Sequence, residues 1–240
     1  MANYELSEDK ELSLEEHLTE FRNRLVVIII ALIIFTISIF IFSSEIIQTF
    51  RTNFIPSGIP LIVLNPLEYI YTRLIISFAG AAIICLPLII YEFFKFMRPG
   101  LYPGERRLFI RVVPMSVLFF ILGGLFSYFL LIPLTVGSLI GYAEEVADPM
   151  LVLSRFISFV AFMLLSIGLV FQLPLIISFL VKGKLISIEE LKSKRKYAYP
   201  ILFVGAMTLA PDPTPIMPFV IALTLIVVYE ISLVLAKVLL

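Results

Sequence analysis

Hydrophobic residues occur along this chain in long runs that short polar segments separate. The first of these runs, from Val26 to Phe42, carries no charge. It follows a tail with six acidic residues, Glu5, Glu8, Asp9, Glu11, Glu15 and Glu16. Uncharged apolar runs of this length are typical of helices that cross a lipid bilayer. Lipid offers no water to bond exposed backbone groups. A helix is therefore favoured in the membrane, because it satisfies its own backbone hydrogen bonds.

Six apolar runs predict six transmembrane helices of unequal length. They lie at about residues 25–43, 74–96, 109–138, 156–181, 197–210 and 216–238, in a single membrane domain over residues 1–240. The fifth run rises only about 21 Å, whereas the hydrocarbon core is about 30 Å thick. We therefore expect 197–238 to form a thin hairpin, where flanking residues complete the span or the bilayer thins.

Prolines interrupt several of these predicted helices. They are Pro87, Pro114, Pro133 and Pro174, and each removes a backbone hydrogen bond and bends its helix. Long loops are predicted at 44–73 and 139–155, both apolar enough to hold short interfacial helices. The predicted fold class is an all-α integral membrane protein whose bent helices form a concave, curved wall.

The composition agrees with a membrane protein. Hydrophobic residues make up 60% of the chain and charged residues 15%, with a mean hydropathy of +1.07. Soluble domains are about a quarter charged. The acidic start and the length of the first apolar run are unlike a cleavable signal, so we expect this run to be an anchor.

Basic residues indicate the orientation in the membrane. Of the 18 lysines and arginines, only Arg51, Arg73 and Arg155 fall on one side of the predicted spans. The others lie in the N-terminal tail, the 2–3 loop, the 4–5 loop and the C-terminus. The positive-inside rule places these basic segments, with both termini, in the cytoplasm.

Few residues could support catalysis. The single histidine, His17, precedes the first span, and the single cysteine, Cys85, lies in an apolar run. This argues against a serine protease with a histidine base, a histidine zinc site and a disulfide framework. The sequence has no glycine-rich phosphate loop or acidic metal cluster. We therefore expect no enzyme activity, cofactor, metal ion or nucleic-acid ligand, and favour binding and assembly.

Two carboxylates stand out among basic residues on the predicted cytoplasmic side, Glu20 before the first span and Glu105 before the third. One interpretation is structural: Glu20 pairs with Arg24 at i,i+4, and Glu105 is a first-turn acid that the helix dipole favours. The other is functional: both acids accept arginine forks of a partner, with bidentate geometry that lysine cannot copy. The spacing alone leaves both interpretations open.

Three segments, taken in chain order, resemble the TatC family, the six-span subunit of the twin-arginine protein translocase. They are Glu16-His17-Leu18-Thr19-Glu20-Phe21-Arg22-Asn23-Arg24-Leu25, then Phe94-Lys95-Phe96-Met97-Arg98-Pro99-Gly100-Leu101-Tyr102 with Glu105-Arg106-Arg107, and Tyr229-Glu230-Ile231-Ser232. The resemblance implies a receptor in the bacterial cytoplasmic (inner) membrane that binds twin-arginine signal peptides of folded proteins. It further implies self-association and assembly with single-span TatA-type and TatB-type subunits for export driven by the proton-motive force.

The resemblance also implies roles for individual residues. Glu20 and Glu105 match family positions that contact the signal-peptide arginines. Neighbouring basic residues match positions that orient these acids or, equally, anchor lipid headgroups; they are Arg22, Arg24, Arg106 and Arg107.

Two polar residues within predicted spans have open roles. Gln172 stands where the family commonly has a glutamate, so it can hydrogen-bond to another helix but cannot transfer a proton. Glu230, in the sixth span, is either functional or paired internally. In the turn at 210–215, either Asp212 or Thr214 occupies the family's acidic position.

A small-solute transporter or channel is the alternative class. Bent helices and the intramembrane Glu230 would support it. It would need a continuous polar path, whereas few polar residues lie at several depths of the predicted spans.

Overall fold

The computed structural model describes residues 14–97, 106–183, 186–210 and 216–239. These residues are mainly helical, in agreement with the predicted all-α class. The helices are α1 (Leu14–Phe54), α2 (Pro66–Met97), α3 (Arg106–Phe126), α4 (Ile132–Glu144), α5 (Leu153–Val170), α6 (Leu173–Lys182), α7 (Ile188–Ser193), α8 (Arg195–Leu209) and α9 (Ile216–Leu239). Two short strands, β1 (Leu61–Ile62) and β2 (Leu151–Val152), complete the described elements.

Five segments of the described ranges are long and apolar enough to cross a membrane. They are Glu15–Phe54, Pro66–Phe93, Val113–Glu144, Leu153–Lys182 and Met217–Lys237. They correspond to the first four predicted spans and the sixth. The helix at the fifth position, α8, has only 15 residues and rises about 22 Å. Its shortness agrees with the sequence, while its crossing of the membrane stays a prediction.

The connections that carry the strands are shorter than predicted. Because α1 continues to Phe54 and α2 begins at Pro66, the loop predicted at 44–73 is reduced to residues 55–65. Likewise α4 continues to Glu144 and α5 begins at Leu153, so the loop predicted at 139–155 is reduced to residues 145–152. Residues 55–65 and 145–152 contain β1 and β2 and no helix, so the predicted interfacial helices are wrong for these connections. The strands pair in parallel, with Leu61 opposite Leu151.

Arg73 lies inside α2, just before the predicted start of the second span, and it has partners on α1. Its Nε donates to Ser43 Oγ and its Nη2 donates to the Phe40 carbonyl, each at 2.7 Å. Its guanidinium also lies 4.2 Å from the centre of the Phe40 ring. Since α1 supplies these partners, α2 can include an arginine within an apolar segment.

Glu68 ties the two strand-bearing connections together. Its Oε2 accepts the Leu64 N–H at 2.7 Å, and its Oε1 accepts the Ser154 N–H at 3.0 Å. The second bond satisfies a free N–H in the first turn of α5. We call this end of the molecule the strand end. The opposite end, which carries the start of α1, the end of α2 and α7, is called the basic end.

Prolines coincide with two interruptions inside the long apolar segments. A π-helical turn, Ser127–Leu131, separates α3 from α4, and Pro133 lies in the first turn of α4. The residues between α5 and α6 precede Pro174 in the same way. A proline has no N–H to donate, so the preceding turn loses a helical bond. Pro87 and Pro114, by contrast, lie inside the continuous helices α2 and α3.

The long helices pack mainly in a series. α1 contacts α2, α2 contacts α5, α5 contacts α3, and the continuation α6 contacts α9, which contacts α8. The apolar middle of α1 is exposed, with Ile33 and Ile37 at 54% and 64%. In a bilayer, lipid or another protein would cover this surface. Helices that contact one another in a series agree with the predicted wall of helices. The curvature of that wall stays a prediction.

Two glycines permit α3 and α5 to approach closely. A Cβ atom on Gly168 of α5 would lie 2.6 Å from the ring of Phe120, and one on Gly123 of α3 would lie 2.8 Å from Phe171. Phe120 is buried, so its ring has little room to move. Small residues at such crossings are typical of helices that pack in membranes.

We expect Gly168→Ala to destabilise the protein, by about 1–3 kcal/mol if the added methyl group displaces Phe120. The matched control is Gly137→Ala in α4, where a Cβ meets no atom within 4 Å. Alanine in that open position should maintain or raise stability, since it favours helix. Thermal unfolding in detergent measures both, and equal unfolding midpoints for the two variants would contradict the packing argument.

Candidate functional site

Three charged side chains from two helices meet at the basic end. Glu20 and Arg24 are one turn apart on α1, and Glu92 lies near the end of α2. Arg24 Nη2 donates to Glu20 Oε1 in a close contact, and Arg24 Nη1 donates to Glu92 Oε2 at 3.1 Å. The predicted i,i+4 pair is therefore present, and its arginine is shared with a second acid.

This cluster is largely shielded from solvent. The side chains of Arg24, Glu20 and Glu92 are 13%, 28% and 11% exposed. Charges interact more strongly here than on an open surface, because less water screens them. With two carboxylates and one guanidinium, the cluster carries one excess negative charge when all three groups are ionised. It is therefore suited to a further cation.

Glu92 was missed by the sequence analysis. It lies inside the predicted second span, at residues 74–96. The signal was present in the sequence, because an acid within an apolar segment usually has a partner or a function. Its partner, Arg24, lies 68 positions away in the chain, and neither spacing nor periodicity identifies such a pair.

A pocket of about 770 Å³ opens beside the cluster. Four carboxylates and two basic groups contribute to its walls, together with Thr19, Asn23 and Val27. The charged residues are Glu15, Glu16, Glu20, Glu92, Arg24 and Lys95. A pocket with this excess of acids favours cationic ligands, and its hydroxyl and amide groups offer additional hydrogen bonds.

Aromatic contacts hold the two helix ends around this pocket. The rings of His17 and Phe96 stack with their centres 4.3 Å apart, and Phe21 lies 5.3 Å from Phe96. These contacts join the start of α1 to the end of α2. The single histidine thus has a packing role, and the described residues include no group of three metal-ligating side chains.

The other predicted residues of this site are only partly located. Arg22 is exposed on α1 and does not line the pocket. Glu105 lies outside the described residues. Arg106 and Arg107 form the first two positions of α3, and their side chains are not described. Among the residues predicted to bind the signal peptide and their basic neighbours, the described part of the structure shows one contact, between Glu20 and Arg24.

Gln172 has a hydrogen bond to another helix. It lies between α5 and α6, and its Nε2 donates to the Ser116 carbonyl of α3 at 3.0 Å. The side chain is buried, so this bond satisfies a polar group that would otherwise be costly in an apolar interior. This bond agrees with the hydrogen bond to another helix that the sequence analysis expected. Gln172 does not line the acid-lined pocket.

Glu230 is paired internally. Arg195 Nη2 of α8 donates to its Oε2 in a close contact, and the Tyr199 hydroxyl donates to its Oε1 at 2.7 Å. The neighbouring Tyr229 hydroxyl donates to the Leu191 carbonyl at 3.0 Å. These bonds link α9 to α8 and to α7. Asp212 and Thr214, which follow α8 in the chain, lie outside the described residues.

Ser187 and Glu190 stabilise the start of α7, the helix whose Leu191 carbonyl accepts the Tyr229 hydroxyl. Ser187 Oγ accepts the Glu190 N–H, and the Glu190 carboxylate accepts the Ser187 N–H, both at 3.1 Å. These bonds to Ser187 lower the pKa of the Glu190 carboxyl below its ordinary value, because they favour its charged form.

Known proteins agree with this architecture over nearly all of the chain. The family described as Sec-independent protein translocase protein (TatC) matches residues 16–223. Sec-independent protein translocase protein TatC of Methanocella arvoryzae is 38% identical over 95% of each chain. TatC of Aquifex aeolicus is 36% identical over 94% of this chain and 95% of its own.

Solved structures show the same fold. A crystal structure of the twin arginine translocase receptor TatC has a TM-score of 0.79 at 35% identity, covering 93% of this chain and 99% of that one. A second, in the detergent DDM, has a TM-score of 0.82 at 36% identity over 92% and 99%. The chain therefore belongs to the TatC family and is a multi-pass membrane component of the Sec-independent protein translocase.

Proposed function

We propose that this chain is the receptor subunit of a twin-arginine translocase, and that Glu20 and Glu105 bind the paired arginines of signal peptides at the basic end. The contact between Arg24 and Glu20 carries this proposal. An arginine side chain already lies against the proposed acid, at the edge of a pocket with excess negative charge. A peptide guanidinium would find the same chemistry.

The position of Glu105 in the chain supports its part in this site. α2 ends at Met97 and α3 begins at Arg106, so Glu105 directly precedes α3. Glu92 lies in the last two turns of α2 and contacts Arg24, so the connection to α3 begins beside the cluster. Arg106 and Arg107 would orient Glu105 or contact lipid headgroups, and Arg22 would do the same beside Glu20.

The orientation is part of the proposal. The basic end faces the cytoplasm, both termini are cytoplasmic, and the membrane is the bacterial cytoplasmic (inner) membrane. Four lysines support this orientation, because basic residues are enriched on the cytoplasmic side of membrane proteins. They lie near the end of α6, the end of α7 and the start of α8, and they are Lys182, Lys192, Lys194 and Lys196.

Assembly with single-span TatA-type and TatB-type subunits would use exposed apolar surfaces. On α8, Tyr197, Ile201 and Val204 are 61%, 69% and 61% exposed. A partner helix could cover this exposed face of α8. The bond between Arg195 and Glu230 would hold α8 against α9. Self-association and lipid contact would use other exposed faces. We assign no catalytic activity to the chain and attribute the driving energy to the proton-motive force.

The described polar groups give little support to the alternative, a small-solute transporter. Within the long helices, several hydroxyl groups donate to carbonyls of their own helix, as Thr72 does to Glu68 and Thr135 to Leu131. Ser77 and Ser178 do the same. Hydroxyls bonded in this way satisfy local backbone groups, and they do not line a continuous polar path.

Peptide binding tests the receptor function. We expect the purified protein to bind an Arg-Arg signal peptide more tightly than its Lys-Lys equivalent, because only arginine makes bidentate bonds to carboxylates. Glu20→Gln and Glu105→Gln should each weaken Arg-Arg binding roughly ten- to a hundredfold, as expected for the loss of a charge-assisted bond. Fluorescence anisotropy of labelled peptides in detergent measures these affinities.

The matched control is Glu45→Gln, an exposed acid on α1 beyond the middle of the helix from Glu20. It removes the same charge from the same helix and should leave peptide affinity unchanged. Equal binding of the two peptides, with no loss in the Glu20 and Glu105 variants, would refute the proposed function.

The crossing of α8 can be tested by labelling. In a Cys85→Ala background, we expect Thr214→Cys to react with an impermeant maleimide from outside the cell, and Ser193→Cys to react only after the membrane is opened. The two positions flank α8, so opposite accessibility means that the helix spans the bilayer. Labelling of both from the same side would exclude six spans.

The bilayer should be thinner beside the short hairpin. Since α8 rises about 22 Å and the hydrocarbon core is about 30 Å thick, lipid next to α8 must adapt unless other residues complete the span. Cryo-electron microscopy of the protein in nanodiscs measures the distance between the headgroup layers. A uniform bilayer around the whole protein would contradict this hypothesis.

A further inference from the structure

We propose that Glu92 is a positioning residue: it holds Arg24 partly away from Glu20 and thereby keeps one oxygen of Glu20 available to a peptide arginine. This inference rests on the proposed function, because it assigns a role within the same site. Glu92 would act through Arg24, without contacting the peptide itself.

The geometry of Arg24 is the first argument. Its two terminal nitrogens bond to different carboxylates, one to Glu20 and one to Glu92 at 3.1 Å. Its Nε is buried and makes no hydrogen bond to any described residue. Arginine frequently pairs with a carboxylate through two nitrogens at once. Here that bidentate pair is not formed, although Glu20 is only one turn away.

Glu92 accounts for this divided arrangement. It lies on α2, which packs along α1, and its side chain is only 11% exposed. A carboxylate so shielded from water needs a cation, and Arg24 is the one it contacts. Because α2 fixes the position of Glu92, Arg24 is drawn between the helices. Glu20 then shares its arginine and retains capacity to accept another.

Replacement of Glu92 by glutamine should remove this competition. The cluster would change from one excess negative charge to zero, and Arg24 could turn to pair with Glu20 through Nε and a terminal nitrogen. Both oxygens of Glu20 would then be occupied. A peptide arginine would have to displace Arg24 before it could bind.

A double-mutant cycle tests the role of Glu92. We expect Glu92→Gln to weaken binding of an Arg-Arg peptide about tenfold, within the range measured for residues that share a partner. The preference for Arg-Arg over Lys-Lys should also fall. In the wild type, the free oxygen of Glu20 and the second lone pair of its bonded oxygen can together accept an arginine fork, and both would be taken by Arg24 in the variant. In an Arg24→Gln background, Glu92→Gln should have a clearly smaller effect, because no arginine is left to collapse onto Glu20.

Two controls accompany the cycle. Glu189→Gln removes the same charge from an exposed position on α7 and should leave peptide affinity unchanged. Thermal unfolding midpoints show whether each variant is folded. A merely structural role for Glu92 would lower the midpoint without changing the ratio of Arg-Arg to Lys-Lys affinity. An equal loss in both arginine backgrounds would mean that Glu92 contacts the peptide directly, and would overturn the proposal, as would no loss at all.

A measurement without peptide separates this inference from the proposed function. In protein labelled with ¹⁵N at arginine Nε, the Arg24 signal can be assigned by its disappearance in Arg24→Gln. We expect Glu92→Gln to slow the exchange of this Nε proton, because Nε acquires Glu20 as an acceptor. Unchanged exchange would overturn the positioning role. If Glu92→Gln slows the exchange but the wild-type protein does not prefer Arg-Arg peptides, Glu92 still positions Arg24. In that case only the receptor function is refuted.

Discussion

The helical backbone must satisfy its own hydrogen bonds in lipid, and most features of this protein depend on that constraint. It explains why nearly all of the described chain is helical and why the strands are confined to short connections at one end. Polar side chains within the apolar segments meet the same constraint. At the break before Pro174, Gln172 bonds to the Ser116 carbonyl, and hydroxyls such as Thr135 bond to nearby carbonyls.

Charged side chains meet the same constraint by pairing between helices. Arg73 bonds to α1, Glu230 bonds to α8, and Arg24 of α1 bonds to Glu92 of α2. Each pair contributes to the packing of two helices, because removal of one partner would leave the other without compensation in a poorly hydrated place. The cluster at the basic end differs from the others. It retains excess negative charge beside an open pocket, as the proposed peptide site requires.

Much of the fold could be predicted because the apolar runs are long and the lipid allows few structures. The all-α class, the short helix at 195–209 and the interruptions at Pro133 and Pro174 all follow from apolar length and proline chemistry. The helix ends near the strands were predicted poorly. The second span was predicted to begin at residue 74, whereas α2 begins at Pro66 and includes Glu68 and Arg73, which have partners on neighbouring elements.

The sequence by itself determined the membrane class and the family resemblance, and it predicted the i,i+4 pair of Glu20 and Arg24, because these depend on composition and on motifs whose residues are close in the chain. Only the tertiary structure decided which distant groups meet: Glu92 with Arg24, Arg195 and Tyr199 with Glu230, and Glu68 with Ser154. The physical reason is that such contacts depend on how two helices are turned toward one another. That orientation arises from the packing of many side chains, such as Phe120 against Gly168, and no local pattern contains it.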